Sequence, residues 1–272
     1  MNGTTVFVSG DFDRIGSPQV RFLQEAARRG AVHACLWTDE FIQSVTGQPP
    51  EFPLKERRYI LESLRFVEQV IVDPAHSGPD VLPIGLGSGI RLWAMPEAER
   101  TPAREAFCRS AGLRLETIPA GGLAGYPLPA EATATGRPKV IVTGCYDWLH
   151  SGHVRFFEEA SGYGDLHVGV GSDTTVRELK GVPHPMFPQD ERRYLVQAVR
   201  FVTRAFVNSG SGWLDAAPDI GRLKPGIFVV NEDGDRPEKR RFCEERGIRY
   251  VVLKRLPKEG LPNRASTELR GF

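Results

Sequence analysis

The sequence is poor in cysteine. Its four, Cys35, Cys108, Cys145 and Cys243, are scattered and form no CxxC pair. Neither a disulfide framework nor a zinc site is predicted, and the thiols are expected to be reduced. There is no excess of charge of either sign: 35 Lys and Arg stand against 34 Asp and Glu, a net charge of +1. That balance lacks the basic surplus of a general nucleic-acid binder. No apolar run approaches the roughly 18 residues of a membrane span. The opening residues, MNGTTVFVSGDFD, bring Asp11 and Asp13 too early for a leader of basic-then-apolar design. These absences predict a cytoplasmic protein that binds no nucleic acid and crosses no membrane. With 40% apolar and 25% charged residues in a chain of 272, a real core is expected, in one large domain or two of ordinary size.

What the sequence does have is a repeat of itself. VFVSGDFDRIGSPQVRFLQEAARRG (Val6 to Gly30) aligns without a gap on VIVTGCYDWLHSGHVRFFEEASGYG (Val140 to Gly164). Val6, Val8, Gly10, Asp13, Ser17 and Val20 recur as Val140, Val142, Gly144, Asp147, Ser151 and Val154, and Arg21, Phe22, Glu25, Ala26 and Gly30 as Arg155, Phe156, Glu159, Ala160 and Gly164. One inserted residue later, ERRYILESLRFVEQVIV from Glu56 matches ERRYLVQAVRFVTRAFV from Glu191, and Phe107-Cys108 matches Phe242-Cys243. So many coincidences in order imply duplication of a unit of about 130 residues, the length of one domain and too long for a solenoid repeat. The intervening PAGGLAGYPLPAEATATGRPK, rich in Pro, Gly and Ala and nearly uncharged, reads as a linker. The expected organisation is a first domain over 1–122, a linker over 123–137 and a second domain over 138–272.

Each copy alternates strand and helix. KVIVTG is a short β-branched run closed by Gly144, as in a buried parallel strand. GHVRFFEEAS then spaces Val154, Phe157 and Ala160 along one helical face. DLHVGVGS, AFVNS, GIFVVN and YVVLKR supply further strands. ERRYLVQAVRFV reads as a helix with Tyr194, Leu195, Ala198, Val199 and Val202 on its apolar face, and RPEKRRFCEERG as a helix whose charges are solvated. The fold class is therefore α/β, a parallel sheet with helices on both faces in each copy. Ligands of such sheets bind at the carboxyl ends of the strands.

That is where GCYDWLHSGH (Gly144 to His153) falls. Gly144 lets the chain turn tightly, and the helix that follows presents free N–H groups and a positive dipole end to a phosphate. His150 and His153 at the helix start can donate to phosphate oxygens as charge builds during displacement at phosphorus, with Gly152 between them leaving room for substrate. The same pair would also suit surface histidines of a βα turn, or two zinc ligands with no obvious third. Cys145 reads as a small residue tolerated at the turn rather than a nucleophile. The four tryptophans, Trp37, Trp93, Trp148 and Trp213, read as core or pocket packing, with Trp148 placed to line a substrate pocket.

The segment resembles the signature of the cytidylyltransferase-like nucleotidyltransferases: a strand, G-x-F/Y-D, then H-x-G-H at a helix start. It looks most like the cytidylyltransferases of phosphoethanolamine, phosphocholine or glycerol phosphate. The resemblance covers essentially all of 138–272. It implies two tandem Rossmann-like nucleotidyltransferase domains. It also implies catalytic roles for His150, His153, Lys180 of ELKG and Arg192 of DERR. Nucleotide contacts are implied for Gly144, Cys145, Tyr146, Asp147, Gly152, Asp233 of the acidic turn, Arg255, Arg264, Ser266 and Thr267. Lys180 and Arg192 would hold phosphates, for which a guanidinium is suited by its bidentate grip. Ser266 and Thr267 would cap a helix and offer donors to the β and γ oxygens. Mg²⁺ would come with the nucleotide, with no protein ligand to the metal implied.

The first copy departs from this pattern. Gly16 and Gln19 stand where the second has His150 and His153, Pro18 replaces Gly152, Thr46 replaces Lys180, and WAMPEAE and LETIPAGG replace the acidic turn and the terminal Ser/Thr element. It is expected to keep the fold without catalysing and to serve as a built-in partner in an intrachain pseudo-dimer; a homodimer is also open. Ethanolamine-phosphate cytidylyltransferase has a similar tandem layout with the working site in its first copy. The function expected from the second half is transfer of CMP from CTP to a small phosphorylated or phosphonate alcohol, with pyrophosphate released. RLPKEGLPNRASTELR carries several extra residues between Arg255 and Ser266 compared with the compact cytidylyltransferase ending, and its ASTELR end is similar to that of ATP-using relatives. ATP-dependent adenylyl transfer to a sugar phosphate or cofactor precursor is therefore the alternative, and a non-catalytic nucleotide-binding regulator is a third.

Overall fold

A computed structural model describes residues 3–72, 74, 78–83 and 91–264. The chain divides into two compact units, Met1–Tyr126 and Pro127–Phe272. In the first, β1 (Thr5–Gly10), β2 (Ala31–Leu36), β3 (Val67–Val72), β4 (Arg91–Pro96) and β5 (Arg114–Ile118) form a parallel sheet in the order β3-β2-β1-β4-β5. Its helices are α1 (Ser17–Ala27), α2 (Asp39–Thr46), α3 (Leu54–Glu62) and α4 (Pro102–Ala111). The second unit repeats this plan. Strands β6 (Lys139–Gly144), β7 (Asp165–Val170), β8 (Arg204–Val207), β9 (Ile227–Asn231) and β10 (Arg249–Leu253) pair in the order β10-β9-β6-β7-β8, again all parallel. Its helices are α5 (Ser151–Ser161), α6 (Asp173–Lys180), α7 (Gln189–Ala198), α8 (Ala217–Leu223) and α9 (Pro237–Glu244). Counting strands within each unit, the two orders are the same. This is the α/β architecture of two Rossmann-like units.

The strand order follows from burial. All six residues of β7 are buried, as are Val140, Ile141 and Val142 of β6; such strands need helices on both faces. Val154, Phe157 and Ala160 of α5 are fully buried, the face their spacing predicted. On the other side of the sheet Phe228 and Val230 of β9 pack with Ile220 of α8, Phe242 and Cys243 of α9 and Ile248. The chain leaves β6 toward β7 and β8, then returns to place β9 on the opposite flank of β6. That reversal opens a crevice at the carboxyl ends of β6 and β9, where open α/β sheets bind ligands.

Three local expectations change. Helix α7 ends at Ala198, because Val199 turns to extended backbone (φ −74°, ψ 128°); Val199 and Val202 are still fully buried, but in the turn that leads into β8. Part of the segment read as a linker is held: Ala132 N–H donates to the Thr203 carbonyl, and Thr135 donates through N–H and Oγ1 to the Asp165 carboxylate. Trp213 is not packed in a core; it is 57% exposed, with the Arg236 guanidinium 4.8 Å from its ring centroid. Among the described residues no helix is long and apolar enough to cross a membrane.

Candidate active site

The turn after β6 is built around an aromatic ring. Tyr146, not Gly144, carries the left-handed backbone (φ 54°), and Phe12 does the same in the first unit (φ 46°). A bulky residue there is a genuine outlier and must be over-determined by its surroundings. Gly144 supplies the room: a Cβ at that position would lie 2.7 Å from the Tyr146 ring. Asp147, 4% exposed, then ties the turn to the loop before α7. Its carboxylate accepts from Met186 N–H (2.8 Å) and Phe187 N–H (3.0 Å) and lies 3.1 Å from His184 Nδ1. Asp13 makes the matching pair of bonds to Glu51 and Phe52 N–H in the first unit.

His150 is the N-cap of α5, its Nδ1 accepting from Gly152 N–H at 3.1 Å. That bond leaves the ring proton on Nε2. The His150 and His153 rings stack, with centroids 3.9 Å apart and planes at 23°. The stack explains Gly152: a Cβ there would meet the His150 ring at 2.9 Å and the Arg264 carbonyl at 3.3 Å. The missing side chain thus makes room for the His150 ring, while Gly152 itself still borders the cavity described next. Burial, then the partner ring, push the pKa of His150 far down; burial lowers that of His153 to about 4, opposed by its hydrogen bond to the Trp148 backbone and reinforced by the Arg255 and Lys180 charges. Both are neutral imidazoles at neutral pH, each with a single N–H to donate.

A cavity of about 310 Å³ opens at the carboxyl ends of β6 and β9. Of the residues singled out from sequence, Gly144, Cys145, Tyr146, Asp147, Gly152, His153, Lys180, Asp233 and Arg255 line it. His150 does not; it stands behind His153, 1% exposed. Arg255 donates to the Asp233 carboxylate (3.0 Å) and to the Arg264 carbonyl (2.9 Å), closing one wall. Arg264 lies beside this wall, outside the cavity lining. Ser266 and Thr267 fall outside the described residues. The Cys145 thiol is raised above its ordinary value, chiefly by burial, so it is protonated at neutral pH, as expected of a non-nucleophile. Trp148 is not in the cavity wall; its Nε1 points to Met186 Sδ (3.2 Å) and its ring packs on Phe187.

Arg192 also lies away from the cavity. It is fully buried, and its guanidinium donates to the carbonyls of Phe187 (2.9 Å), Cys145 (2.6 Å) and Gly171 (2.8 Å) and to the Asp173 carboxylate (2.8 Å). The fork is consumed in joining three loops at the strand ends, so it has no bidentate face for a phosphate. Arg57 does the same in the first unit, reaching Phe52, Asp11 and Trp37 carbonyls and Asp39. Its presence in both copies makes Arg192 a support of the fold's rim.

Conversely, Lys239 was expected on a solvated face and is instead 8% exposed in the cavity wall, donating to the Gly234 carbonyl at 3.2 Å. Burial lowers its pKa, opposed by the Asp215 carboxylate. Lys180, Lys239 and Arg255 thus bring three cationic side chains to one cavity whose acids, Asp147 and Asp233, are bound by the chain's own donors. Among the described residues no group of three His, Cys, Asp or Glu is placed to hold a metal ion.

Comparison with known proteins matches this region. The cytidylyltransferase-like family model covers residues 141–270. An FAD synthase of Aciduliprofundum boonei is 37% identical over 125 residues, 45% of this chain and 80% of that protein. The bifunctional protein HldE of Trichlorobacter lovleyi is 44% identical over 105 residues, 38% of this chain and 21% of that protein. The chain therefore spans about a fifth of the length of its HldE relative. A solved structure, the lipopolysaccharide core biosynthesis protein of Thermoplasma volcanium, aligns at 27% identity and a TM-score of 0.39 over 44% of this chain and 98% of its own. On the family model and the extent of the FAD synthase match, the chain belongs to the cytidylyltransferase-like family of nucleotidyltransferases.

Proposed function

We propose that the second unit transfers a nucleotidyl group from a nucleoside triphosphate, ATP in the reading we favour, to a small phosphorylated acceptor. An acceptor phosphate oxygen attacks the α-phosphorus, the bond from that phosphorus to the bridging oxygen of the β-phosphate breaks, and pyrophosphate leaves. Such a reaction asks the protein to position two anions and to neutralise their charge. The observation that carries the reading is the stacked pair of neutral imidazoles at the start of α5, of which His153 lines a cavity with Lys180, Lys239 and Arg255 on its walls. His153 donates to an oxygen that gains charge at the α-phosphorus, and His150 fixes its ring by stacking. Neutral donors suit this role, because they bind developing charge without requiring a proton to be taken up first. Lys180, Lys239 and Arg255 hold the phosphates. Arg192 and Asp147 act through the loops they tie and are positioning residues. The acids of the cavity are already engaged, so Mg²⁺ would be carried by the nucleotide's own phosphates, where it supplies further charge neutralisation.

ATP is favoured over the CTP expected from sequence because FAD synthases, which by name make an adenine dinucleotide, match over most of their length. The resemblance of the ASTELR ending to ATP-using relatives points the same way. The motif GCYDWLHSGH favours CTP and keeps that second reading. The test is pyrophosphate release by the full chain with each of the four nucleoside triphosphates, Mg²⁺ and a panel of phosphoalcohols, sugar phosphates and flavin phosphates. Activity with ATP alone supports the favoured reading and activity with CTP alone replaces it with the second. Binding of nucleotide without turnover on any acceptor would sink both in favour of a regulator.

A further inference from the structure

The first unit has a cavity of its own, of about 660 Å³, at the carboxyl ends of β1 and β4. It occupies the position that the candidate active site occupies in the second unit, and part of its wall corresponds position for position. Ser9, Gly10, Phe12 and Phe22 stand where the other copy has Thr143, Gly144, Tyr146 and Phe156. The volume lies in the range of small-molecule sites, which are typically about 300–1,000 Å³ and mostly apolar with a few polar groups.

The chemistry of the walls has been inverted. Every group that would favour phosphate is lost or spent. The histidines are Gly16 and Gln19, Lys180 is Thr46, and Pro18 removes a backbone N–H from the first turn of α1. Lys239 has a basic counterpart in Arg104, but this guanidinium is already bound to Asp80 (3.0 Å), to the Glu99 carboxylate (3.1 Å) and to the Glu99 carbonyl (2.9 Å). It also lies 5.6 Å from the centroid of the Trp93 ring. In place of the lost cations there are new acids: Asp11 for Cys145 and Glu99 for Gly234. New aromatic surface arrives with them, Trp37 for Gly171. Among the described lining residues the only cation is thus paired, and the exposed Asp11 carboxylate, which accepts from Asp13 N–H at 3.1 Å, is in no ion pair.

We propose that this cavity is a second binding site, specific for a small aromatic amine rather than a nucleotide. The ring of such a ligand packs among Phe12, Phe22 and Trp37, whose faces favour a flat apolar body and attract a nearby cation. Its ammonium group sits at the mouth, opposite Asp11. A phosphate or carboxylate in the same place would face two acids with no available cation. The site does not depend on which nucleotide, or whether any nucleotide, is turned over in the second unit.

Three probes share one ring and differ in charge: tryptamine, indole and indoleacetate. Each is titrated into the full chain by calorimetry with saturating ATP present, so that the second unit's cavity is occupied. A unit charge at about 4 Å in a water-like dielectric changes affinity about fivefold. Tryptamine is therefore expected to bind about fivefold more tightly than indole, and indole about fivefold more tightly than indoleacetate. Asp11→Lys, an exposed position, is expected to reverse that order. Gln19→Trp, which fills the mouth, should abolish binding of all three, while pyrophosphate release and the circular dichroism spectrum of both variants stay as in the parent. Absence of saturable tryptamine binding, an order unchanged by Asp11→Lys, or binding that survives Gln19→Trp would each overturn the proposal.

Discussion

Replacing Arg192 by Met separates a rim support from a phosphate grip. The substitution keeps the length of the side chain and removes the guanidinium, leaving the carbonyls of Phe187, Cys145 and Gly171 and the Asp173 carboxylate without their donor. A buried acceptor left unpaired costs about 1–3 kcal/mol, and water can reach Asp173, whose side chain is 34% exposed. The three carbonyls together set the loss at about 3–5 kcal/mol, the range found when one partner of a buried charged pair is removed. Domains of this size are stable by only about 5–15 kcal/mol. With a urea slope of about 2 kcal/mol per molar, the unfolding midpoint of the second unit should fall by about 2 M. Arg57→Met removes the equivalent bonds to Phe52, Asp11, Trp37 and Asp39 and should lower the first unit's midpoint by a similar amount. Urea titrations followed by tryptophan fluorescence report on both units, since Trp37 and Trp93 lie in one and Trp148 and Trp213 in the other, and Arg192→Met and Arg57→Met should each shift a different one of the two transitions. If Arg192→Met left stability within about 0.5 kcal/mol of the parent and abolished turnover, the arginine would be contacting substrate and the structural assignment would be wrong.

His153→Ala should lower turnover by about 10²–10³-fold or more, as when a preorganised donor to a developing oxyanion is lost. Gln19→Ala, the matching change in the first unit, should leave turnover within twofold or so; steady-state pyrophosphate release measures both, and equal effects would refute one working and one disabled half. Lys239→Met should raise KM for the nucleotide more than it lowers kcat, because the ammonium lines the phosphate cavity in ground and transition states alike. A change in kcat alone would place Lys239 at the reacting centre. The depressed His153 also has a consequence for stability against pH. The unfolded chain takes up a proton near the ordinary value of 6.5, whereas the folded chain refuses it until about 4. Stability is therefore fully present above pH 6.5 and declines as pH falls from there toward 4. Urea midpoints of the parent minus those of His153→Gln should show this decline; a difference that grows on acidification would contradict the burial of a neutral ring.

Much of the fold was legible because a duplicated sequence can be read twice. Val140 to Val142 and Val154, Phe157 and Ala160 carry the patterns of a buried strand and a half-buried helix, and the structure buries them accordingly. The family resemblance singled out His153, Lys180, Asp233 and Arg255, which the structure brings around one cavity although they span positions 153 to 255. Arg192 escaped reading because its partners are backbone carbonyls at Cys145, Gly171 and Phe187, and a carbonyl has no signature in a sequence. Its counterpart Arg57 was a usable hint, since a group kept in the half that lost its histidines is more simply explained by architecture than by catalysis. Lys239 carried a signal that composition hid. In RPEKRRFCEERG it lies three and four residues before Phe242 and Cys243, on the face that buries both. The left-handed conformation of Tyr146 had none, as aromatic residues rarely adopt it; it becomes intelligible only when Gly144 is seen to make space for the ring.

The most direct measurement is a crystal structure of the full chain grown with a nonhydrolysable triphosphate and Mg²⁺. The phosphates should lie at the start of α5, within hydrogen-bond reach of His153 and flanked by Lys180, Lys239 and Arg255, while the cavity between β1 and β4 holds no nucleotide. A triphosphate bound only in the first unit, or bound in the second unit away from His153, would contradict the account.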